Sequence, residues 1–244
     1  MKKLSAAALL IGAVFSYSTA LAADAQITDK KFIDDSSYAV GVSMGKYLES
    51  MLSDQKNLIK LDKELLLKGV KDAVNGKVTL TNEQLQQQNQ ALFSKIEEIK
   101  IAKAQELAQQ AKTKGDAFRA DYAKKDGVKQ TQSGILYKIE KAGEGGAPKP
   151  EDTVKVHYTG KLVDGTVFDS SAERGQPAEF TLSQLIPGWT EGIALIKKGG
   201  KIELVLPPEL AYGKQGAGDA IPGNSTLIFD IELLDVTPAA EAVK

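Results

Sequence analysis

Few side chains in this sequence suit covalent or metal chemistry. The 244 residues include one histidine, His157, and no cysteine, which argues against a zinc site and leaves no thiol nucleophile. Apolar and polar residues alternate over 153–158, so His157 is expected on the same face as Lys155, pointing outward. We therefore assign His157 no catalytic role.

The other candidates are aromatic and acidic residues of the C-terminal half, and each has an ordinary structural interpretation. Trp189 is the only tryptophan, and it would pass as a core residue, as would Phe168 and Phe229. Asp169 follows a hairpin signal and precedes two serines, so it suits a turn residue that binds its own backbone. Function is therefore indicated only by the joint pattern of these residues.

Five sequence blocks follow one another in the C-terminal half. They are VHYTG (156–160), DGTVFDSS (164–171), IPGWTEG (186–192), PPELAYG (207–213) and TLIFDIELL (226–234). In content, order and spacing they resemble the FKBP domain of peptidyl-prolyl cis-trans isomerases, over about residues 127–236. The whole chain further resembles the exported bacterial Mip/FkpA subgroup, through its layout and the stretch YAVGVSMGKYL (38–48).

The resemblance implies an apolar bowl that holds a proline ring. The matching catalytic positions are Tyr158, Phe168, Asp169, Tyr212 and Phe229. The matching substrate-binding positions are Arg174, Phe180, Leu185, Ile186, Trp189 and Ile221. In the family, Trp189 would form the floor, Ile186 would offer its backbone N–H, and Arg174 would hold Asp169 by an ion pair. Ala178 stands where many members of the family have an aromatic residue, so the wall of the bowl is expected to be thinner at this position.

The activity implied by the resemblance is cis-trans isomerisation of X–Pro bonds, the rotamase reaction. Rotation must overcome the loss of amide resonance, a barrier of about 18–20 kcal/mol. A dry pocket favours the twisted amide, which is less polar than the planar one, and hydrogen bonds that fit only the twisted geometry add to this. No bond to proline breaks, so no cofactor, metal or nucleophile is expected.

The expected role is to assist the folding of exported proteins, with accompanying chaperone activity. The alternative is a chaperone or interaction module with an FKBP fold in which isomerase turnover is secondary. Expected partners are proline-containing unfolded or partly folded polypeptides and macrolide inhibitors of the FKBP class. The thin wall at Ala178 is expected to weaken the binding of these macrolides. The chain has 31 basic and 32 acidic side chains, so it is nearly neutral and has no broad positive field that would attract nucleic acid.

The N-terminal half has the composition of helices. Residues 23–125 contain no proline, whereas all eight prolines follow residue 127. Helical spacing predicts one helix over about 36–52 and a second over 62–75 that begins at an Asp62 N-cap. A capping box, Thr81 with Gln84, predicts a third helix to about Tyr122. Its expected length of about 60 Å, at 1.5 Å per residue, makes it a largely solvated spacer.

The first two helices need a partner surface, because two short helices bury too little area to fold alone. A second copy of the chain is the simplest partner. Gly41 and Gly45 lie four residues apart on one helix face, where they would let another backbone approach closely. Alternatively they simply weaken or break the helix. We predict a homodimer formed through residues 36–75.

The C-terminal half alternates apolar and polar residues, as β-strands do. The segments 153–158, 201–206 and 227–234 show this pattern, and Asp164-Gly165 supplies a hairpin signal. The only good helix candidate here is short, at 188–196. The predicted fold class is α+β: an all-helical N-terminal dimerisation arm with a long spacer helix, then an FKBP-like antiparallel sheet wrapped on a short helix.

The N-terminus has the features of a secretory signal peptide. Lys2 and Lys3 precede an apolar stretch over 4–15, and Ala20-Leu21-Ala22 matches a cleavage site. The apolar run is shorter than the roughly 20 residues that a membrane span needs. We expect cleavage after Ala22 and a periplasmic protein, with outer-surface association left open. The predicted domains are a signal peptide (1–22), a helical dimerisation and spacer domain (23–126), an FKBP-type isomerase domain (127–237) and a C-terminal tail (238–244).

Overall fold

The computed structural model describes residues 27–55 and 58–239 of the chain. The chain divides into two compact units, Met1–Lys77 and Val78–Lys244. The predicted signal peptide and most of the predicted C-terminal tail lie outside the described residues. The predicted boundary at residue 126 falls within the second unit, and an isomerase domain that begins at residue 127 stays a prediction.

The first unit contains helices α1 (Lys30–Gln55) and α2 (Lys63–Val74). Helix α2 begins where predicted, because the Asp62 carboxylate accepts a hydrogen bond of 3.0 Å from the backbone N–H three residues later. Helix α1 begins about six residues earlier than predicted. The cause is Asp29, whose carboxylate accepts a hydrogen bond of 3.1 Å from the N–H three residues later and so caps the helix.

Large apolar side chains of this unit remain exposed in the single chain. They include Phe32, Tyr38, Val40, Met44 and Tyr47 on α1, and Leu65, Leu67 and Val74 on α2. Helix α2 has no buried residue at all among those described. The two helices therefore expose the apolar surface that would normally form a core. No helix in the described ranges is both long enough and apolar enough to cross a membrane.

The second unit begins with helix α3 (Asn82–Tyr122), which is 41 residues long. The predicted capping box is present: the Thr81 hydroxyl accepts from the Gln84 N–H at 3.2 Å, and the Gln84 side chain accepts from the Thr81 N–H at 2.9 Å. Most of the helix is exposed, as expected for a spacer. Its last turns differ from that expectation, because Gly115 is buried against Thr226, and Tyr122 against Leu136 and Val205.

Most of the rest of this unit, as far as the structure describes it, is an antiparallel sheet of seven strands. The strands are β1 (Lys129–Gln130), β2 (Leu136–Lys141), β3 (Thr153–Leu162), β4 (Val167–Ser170), β5 (Ala178–Thr181), β6 (Lys201–Leu206) and β7 (Leu227–Thr237). They lie in the order β1-β2-β6-β7-β3-β4, and β5 pairs with the first half of β3. The helices and this sheet together make the α+β fold that the sequence predicted.

Helix α4 (Pro187–Ile193) packs against the core face of the sheet. Two glycines make this possible: a Cβ at Gly188 would lie 2.6 Å from a Leu206 methyl, and one at Gly192 would lie 2.4 Å from a Leu204 methyl. Any larger residue would push the helix away from β6. Trp189 follows the first glycine and is buried in the core between helix and sheet.

Candidate active site

An open cavity lies beside α4 on the core face of the sheet, and we call it the bowl. It is lined by most of the predicted site residues, namely Tyr158, Phe168, Asp169, Phe180, Leu185, Ile186, Trp189, Tyr212 and Phe229. Strands β3, β4, β5 and β7, helix α4, the turn just before α4 and the loop after β6 supply these residues. The lining is apolar and aromatic except for one carboxylate and two phenol hydroxyls.

Trp189 lies at the bottom of the bowl and is 4% exposed. Its ring centroid is 5.0 Å from that of Tyr158, 5.2 Å from that of Phe229 and 5.9 Å from that of Phe180. All three contacts are close to perpendicular, a favourable edge-to-face geometry that fixes the rings. The indole N–H is buried and finds no acceptor among the described residues, which is uncommon for an ordinary core tryptophan. The floor of the bowl is therefore a rigid aromatic surface.

One polar cluster forms the edge of the bowl. The Tyr158 hydroxyl donates to Oδ2 of Asp169 at 2.5 Å, and Arg174 Nη2 donates to the Tyr158 oxygen at 2.9 Å. Arg174 also forms an ion pair with Asp169, as predicted, and its guanidinium lies 5.6 Å from the centroid of the Tyr158 ring. Each of the three side chains contacts the other two, so the carboxylate has a fixed position.

The same contacts set the charge states of the cluster. Burial alone would raise the pKa of the Asp169 carboxyl, but hydrogen bonds from Tyr158 and Arg174, with the Arg174 charge, outweigh burial and hold the pKa below its usual value. Burial, and then the hydrogen bond to Asp169, raises the pKa of the Tyr158 phenol. At neutral pH the edge therefore carries an ionised carboxylate, a neutral phenol and a guanidinium cation.

The remaining predicted residues lie at the rim or behind it. The Ile186 backbone N–H has no acceptor within the described part of the chain. Tyr212 is 41% exposed at the rim. Ile221 is only 6% exposed and packs in the core without lining the bowl. The structure thus places Ile221 next to the predicted site rather than in its wall.

A second cleft lies on the opposite face of the sheet and is polar. His157 lines it, facing away from the bowl as its position in the alternation predicted. Lys201 pairs there with Glu232 at 3.2 Å, and Lys161 pairs with Asp230 at 2.6 Å. Nowhere in the described ranges do three or more histidine, aspartate or glutamate side chains gather in a group that could hold a metal ion. Charged side chains make up much of its lining, unlike that of the aromatic bowl.

Comparison with known families connects the bowl to an activity. Residues 145–234 match the family model described as FKBP-type peptidyl-prolyl cis-trans isomerase. Residues 33–139 match the model described as the domain amino terminal to FKBP-type peptidyl-prolyl isomerase. The chain belongs to the FKBP-type peptidyl-prolyl cis-trans isomerase family. The first match contains the bowl and its polar edge, and the second contains most of the helical part.

Similar proteins match this isomerase over most of its length. A probable FKBP-type peptidyl-prolyl cis-trans isomerase of Haemophilus influenzae is 52% identical over 242 residues, which are 99% of this chain and 98% of the relative. FkpA of Escherichia coli K12 is 48% identical over 224 residues, 91% and 83% of the two chains. The crystal structure of Escherichia coli FkpA matches with a TM-score of 0.69 at 50% identity, covering 84% of this chain and 96% of that one. The predicted family and enzyme activity are confirmed.

Ser171 supports the bowl of the isomerase and was not among the predicted site residues. It is fully buried, and its Oγ accepts a hydrogen bond of 2.8 Å from the Tyr158 backbone N–H. Its own N–H donates to the Tyr158 carbonyl at 3.0 Å. These bonds fix the end of β4 to β3 behind the polar edge. In the sequence, Ser171 is the last residue of DGTVFDSS. The interpretation of this stretch as a simple turn gives that serine no role.

Proposed function

We propose that the X–Pro bond is isomerised in the bowl, with the proline ring on Trp189. The observation that supports this most strongly is an aromatic cavity with one ionised carboxylate, Asp169, at its edge. Phe168 and Phe229 meet edge to face at 5.7 Å and form one wall. A five-membered apolar ring suits such a cavity better than a charged or extended side chain does.

Transfer of the bond into the bowl lowers the barrier to rotation by removing water. A planar amide is charge-separated by resonance, and water stabilises that polarity. The twisted amide has lost resonance and is less polar, so the apolar lining penalises it less than the planar ground state. Contacts to the flanking residues of the substrate hold the bond in place and supply the free energy for this desolvation.

Polar groups at the rim add stabilisation that depends on the geometry of the twisted bond. The Ile186 N–H and the Tyr212 hydroxyl would donate to substrate carbonyls, and both residues line the bowl. The negative charge of Asp169 favours a rotating carbonyl whose carbon, the positive end of its dipole, faces the carboxylate. Each neutral hydrogen bond contributes about 0.5–1.5 kcal/mol when it forms only in the twisted state.

The experiment that tests this is cis-to-trans conversion of short X–Pro peptides by the mature protein. We expect acceleration, and a preference for an apolar residue before proline because the lining is apolar. Tyr212→Phe removes one donor without changing the cavity and should lower kcat/KM by roughly twofold to tenfold. Full activity in both Tyr212→Phe and Asp169→Asn would place the reaction outside the bowl.

The proposed substrates in the cell are unfolded or partly folded polypeptides exported to the periplasm. Support comes from the signal peptide expected at residues 1–22 and from the lack of cysteine in the sequence, which suits an oxidising compartment. Fractionation should find a mature chain that begins at Ala23 in the periplasm. A full-length chain in the cytoplasm would contradict the proposal, and digestion by protease added to intact cells would indicate outer-surface association.

A homodimer with accompanying chaperone activity is the second part of the proposal. The exposed apolar side chains of α1 and α2 favour association with a second copy through residues 36–75. In such a dimer, a client that is bound at one bowl meets the other bowl at a raised effective concentration. Suppression of aggregation of a client without proline-limited folding tests the chaperone. Equal suppression by Tyr212→Phe would show that this activity does not depend on turnover.

Macrolide inhibitors of the FKBP class are proposed ligands of the same bowl. Ala178 is half-buried on β5, two residues before Phe180, and supplies less aromatic surface than a phenylalanine would. We therefore expect weaker macrolide inhibition of the wild type than of Ala178→Phe. Equal inhibition of the two would show that this wall does not contact the macrolide.

A further inference from the structure

The last turns of α3 pack onto the isomerase domain through one face. The face consists of Ala108, Ala111, Gly115, Phe118 and Tyr122, spaced alternately three and four residues apart. Its C-terminal part covers Leu136 and Val205 on the outer face of the sheet. Its N-terminal part contacts the segment that leads into β7, where a Cβ at Gly223 would lie 3.4 Å from the Cβ of Ala108.

Thr226 is the residue at which α3 is fixed to that segment. Gly115 allows so close an approach that a Cβ there would lie 2.4 Å from the Thr226 hydroxyl oxygen. Arg119 Nη1 donates to the same oxygen at 2.7 Å, while Nη2 is held by Asp116 at 2.7 Å. Thr226 is 1% exposed, so water has little access to replace Arg119 if this bond is lost.

The segment around Thr226 closes a loop that adjoins the bowl. At the base of the loop, the Asn224 N–H donates to the Gly213 carbonyl at 2.8 Å. Tyr212 immediately precedes this base, and Ile221 lies inside the loop in a backbone bridge. Thr226, which contacts α3, is thus two residues from Asn224 on one side of the loop base. Gly213, on the other side of the base, is the residue next to Tyr212.

We propose that α3 positions this loop through Arg119 and Thr226, and so sets how firmly Tyr212 closes on the substrate. Neither Arg119 nor Thr226 lines the bowl, so both are positioning residues. The inference goes beyond the reaction itself and rests on the proposed role of Tyr212. Loops that border binding sites open more readily than the sheets around them. A loop fixed at its base loses less conformational freedom when substrate binds, so substrate binds more tightly.

A second bond between α3 and the domain provides a matched control. Tyr122 donates its hydroxyl to Glu203 on the outer face of β6, away from the loop. Tyr122→Phe therefore removes one bond of α3 without touching the loop. Thr226→Val removes the acceptor for Arg119 at nearly constant volume, and Thr226→Ser retains it.

The test measures kcat and KM of the full chain for a short X–Pro peptide, and hydrogen exchange of the Asn224 amide. In Thr226→Val we expect KM to rise more than kcat falls, with kcat/KM lower by roughly twofold to thirtyfold. The Asn224 amide should exchange faster in this variant, because the loop base opens more often. Thr226→Ser and Tyr122→Phe should keep KM within about twofold of the wild type.

The following outcomes decide the proposal. Unchanged KM and exchange in Thr226→Val, or an equal change in Tyr122→Phe, would overturn it. If Thr226→Val does not fold, Arg119→Met breaks the same bond from the helix side and must give the same rise in KM. Full activity of Tyr212→Phe removes the role of Tyr212 and this proposal with it, and full activity of Asp169→Asn as well removes the site assignment. If Tyr212→Phe has reduced activity but Thr226→Val has normal KM and exchange, the site assignment stands and only the positioning role of Arg119 and Thr226 is removed.

Discussion

The Tyr158 hydroxyl and the Asp169 carboxylate are joined by a 2.5 Å hydrogen bond between neighbouring strands. The pairing of Gly160 with Asp169 in the β3–β4 register brings the carboxylate beside the tyrosine ring. Arg174 donates to the same hydroxyl at 2.9 Å, so the oxygen donates once and accepts once. Because the cluster is fixed before substrate arrives, its charge needs little reorganisation during bond rotation.

The first prediction concerns the charge of this cluster. Asp169→Asn keeps the shape of the side chain and removes its charge. We expect kcat/KM to fall by roughly tenfold to a hundredfold, since loss of a charged hydrogen bond costs about 1.5–3 kcal/mol. Thermal unfolding should change little, because the Asp169 side chain is 43% exposed. The peptide assay and an unfolding curve measure the two effects.

Asp164→Asn is the matched control, with the same change of charge at the tip of the β3–β4 hairpin. Asp164 Oδ1 accepts from the Thr166 N–H at 3.0 Å, a bond that asparagine can retain. Its peptide activity should equal that of the wild type. An equal loss of activity in the two variants would mean that net charge, and not the carboxylate at the bowl, determines the rate.

The second prediction is the pH dependence. The folded pKa of Asp169 lies below its ordinary value of about 3.9, and the pKa of Tyr158 lies above its ordinary value of about 10. Asp169 therefore stays ionised until the pH falls through its lowered pKa, and its contribution to stability is lost as the pH falls from the ordinary pKa to the lowered one. We expect constant kcat/KM from about pH 5 to pH 8, with loss only in stronger acid.

Arg174→Ala tests the cause of this lowered pKa. Without the hydrogen bond and charge of Arg174, burial acts on Asp169 with less opposition, so its pKa rises. The acid limb of the activity profile should move to higher pH than in the wild type. An acid limb that stays in place would show that Asp169 does not control the profile.

Local patterns in the sequence were sufficient to predict most elements. The capping box of Thr81 and Gln84 and the N-cap Asp62 act within one turn, so neither depends on tertiary structure. The alternation in β3 predicted which side of the strand is buried. Strand β2 was not predicted, because its four last residues are exposed and its partner β6 is distant in sequence, with Leu136 opposite Val205.

The packing of α3 could not be predicted from its residues. Ala108, Ala111 and Gly115 are as suitable for a solvated helix as for a close contact, so the sequence predicted a solvated spacer here. Likewise, the position of the Gly213–Asn224 loop depends on contacts with residues about a hundred positions earlier. Such contacts have no local signal. The sequence therefore indicated the residues of the bowl through family resemblance, but not what supports them.

The third prediction compares two fragments of the isomerase. A fragment of residues 127–244 lacks Phe118 and Tyr122, which cover Leu136 and Val205, whereas a fragment of residues 106–244 retains them. We expect both to fold around the main core. The shorter one should be less stable by several kcal/mol, since loss of one buried aromatic side chain costs about 3–5 kcal/mol. Urea unfolding of the two fragments measures the difference.

Short-peptide turnover by the same fragments tests the predicted domain boundary. Detectable activity of 127–244 would support an isomerase domain that begins at residue 127. An insoluble or inactive 127–244 beside an active 106–244 would move the boundary into α3. Equal stability of the two fragments would show that the end of α3 contributes little to the fold.

The last prediction concerns the proposed dimer. A Cβ at Gly41 or Gly45 would meet no atom within 4 Å beyond its own stretch of helix, among the described residues. Leucine raises helix propensity by roughly 1 kcal/mol per site, so the substitution should keep α1 helical. In the proposed dimer its bulk lies on the face that the second copy would cover. We expect a homodimer for the mature wild type and a monomer for Gly41→Leu plus Gly45→Leu, measured by light scattering.

Gly41→Ala plus Gly45→Ala separates bulk from helix propensity, because alanine raises propensity as well but adds one methyl group. This variant should dissociate less than the double leucine variant. The double leucine variant should keep its short-peptide activity, since the bowl lies in the other unit, and should lose more in refolding a long client, which two linked bowls bind better than one. A wild type that is monomeric at micromolar concentration would contradict the proposed dimer. A double leucine variant that stays dimeric moves the interface away from the Gly41–Gly45 face.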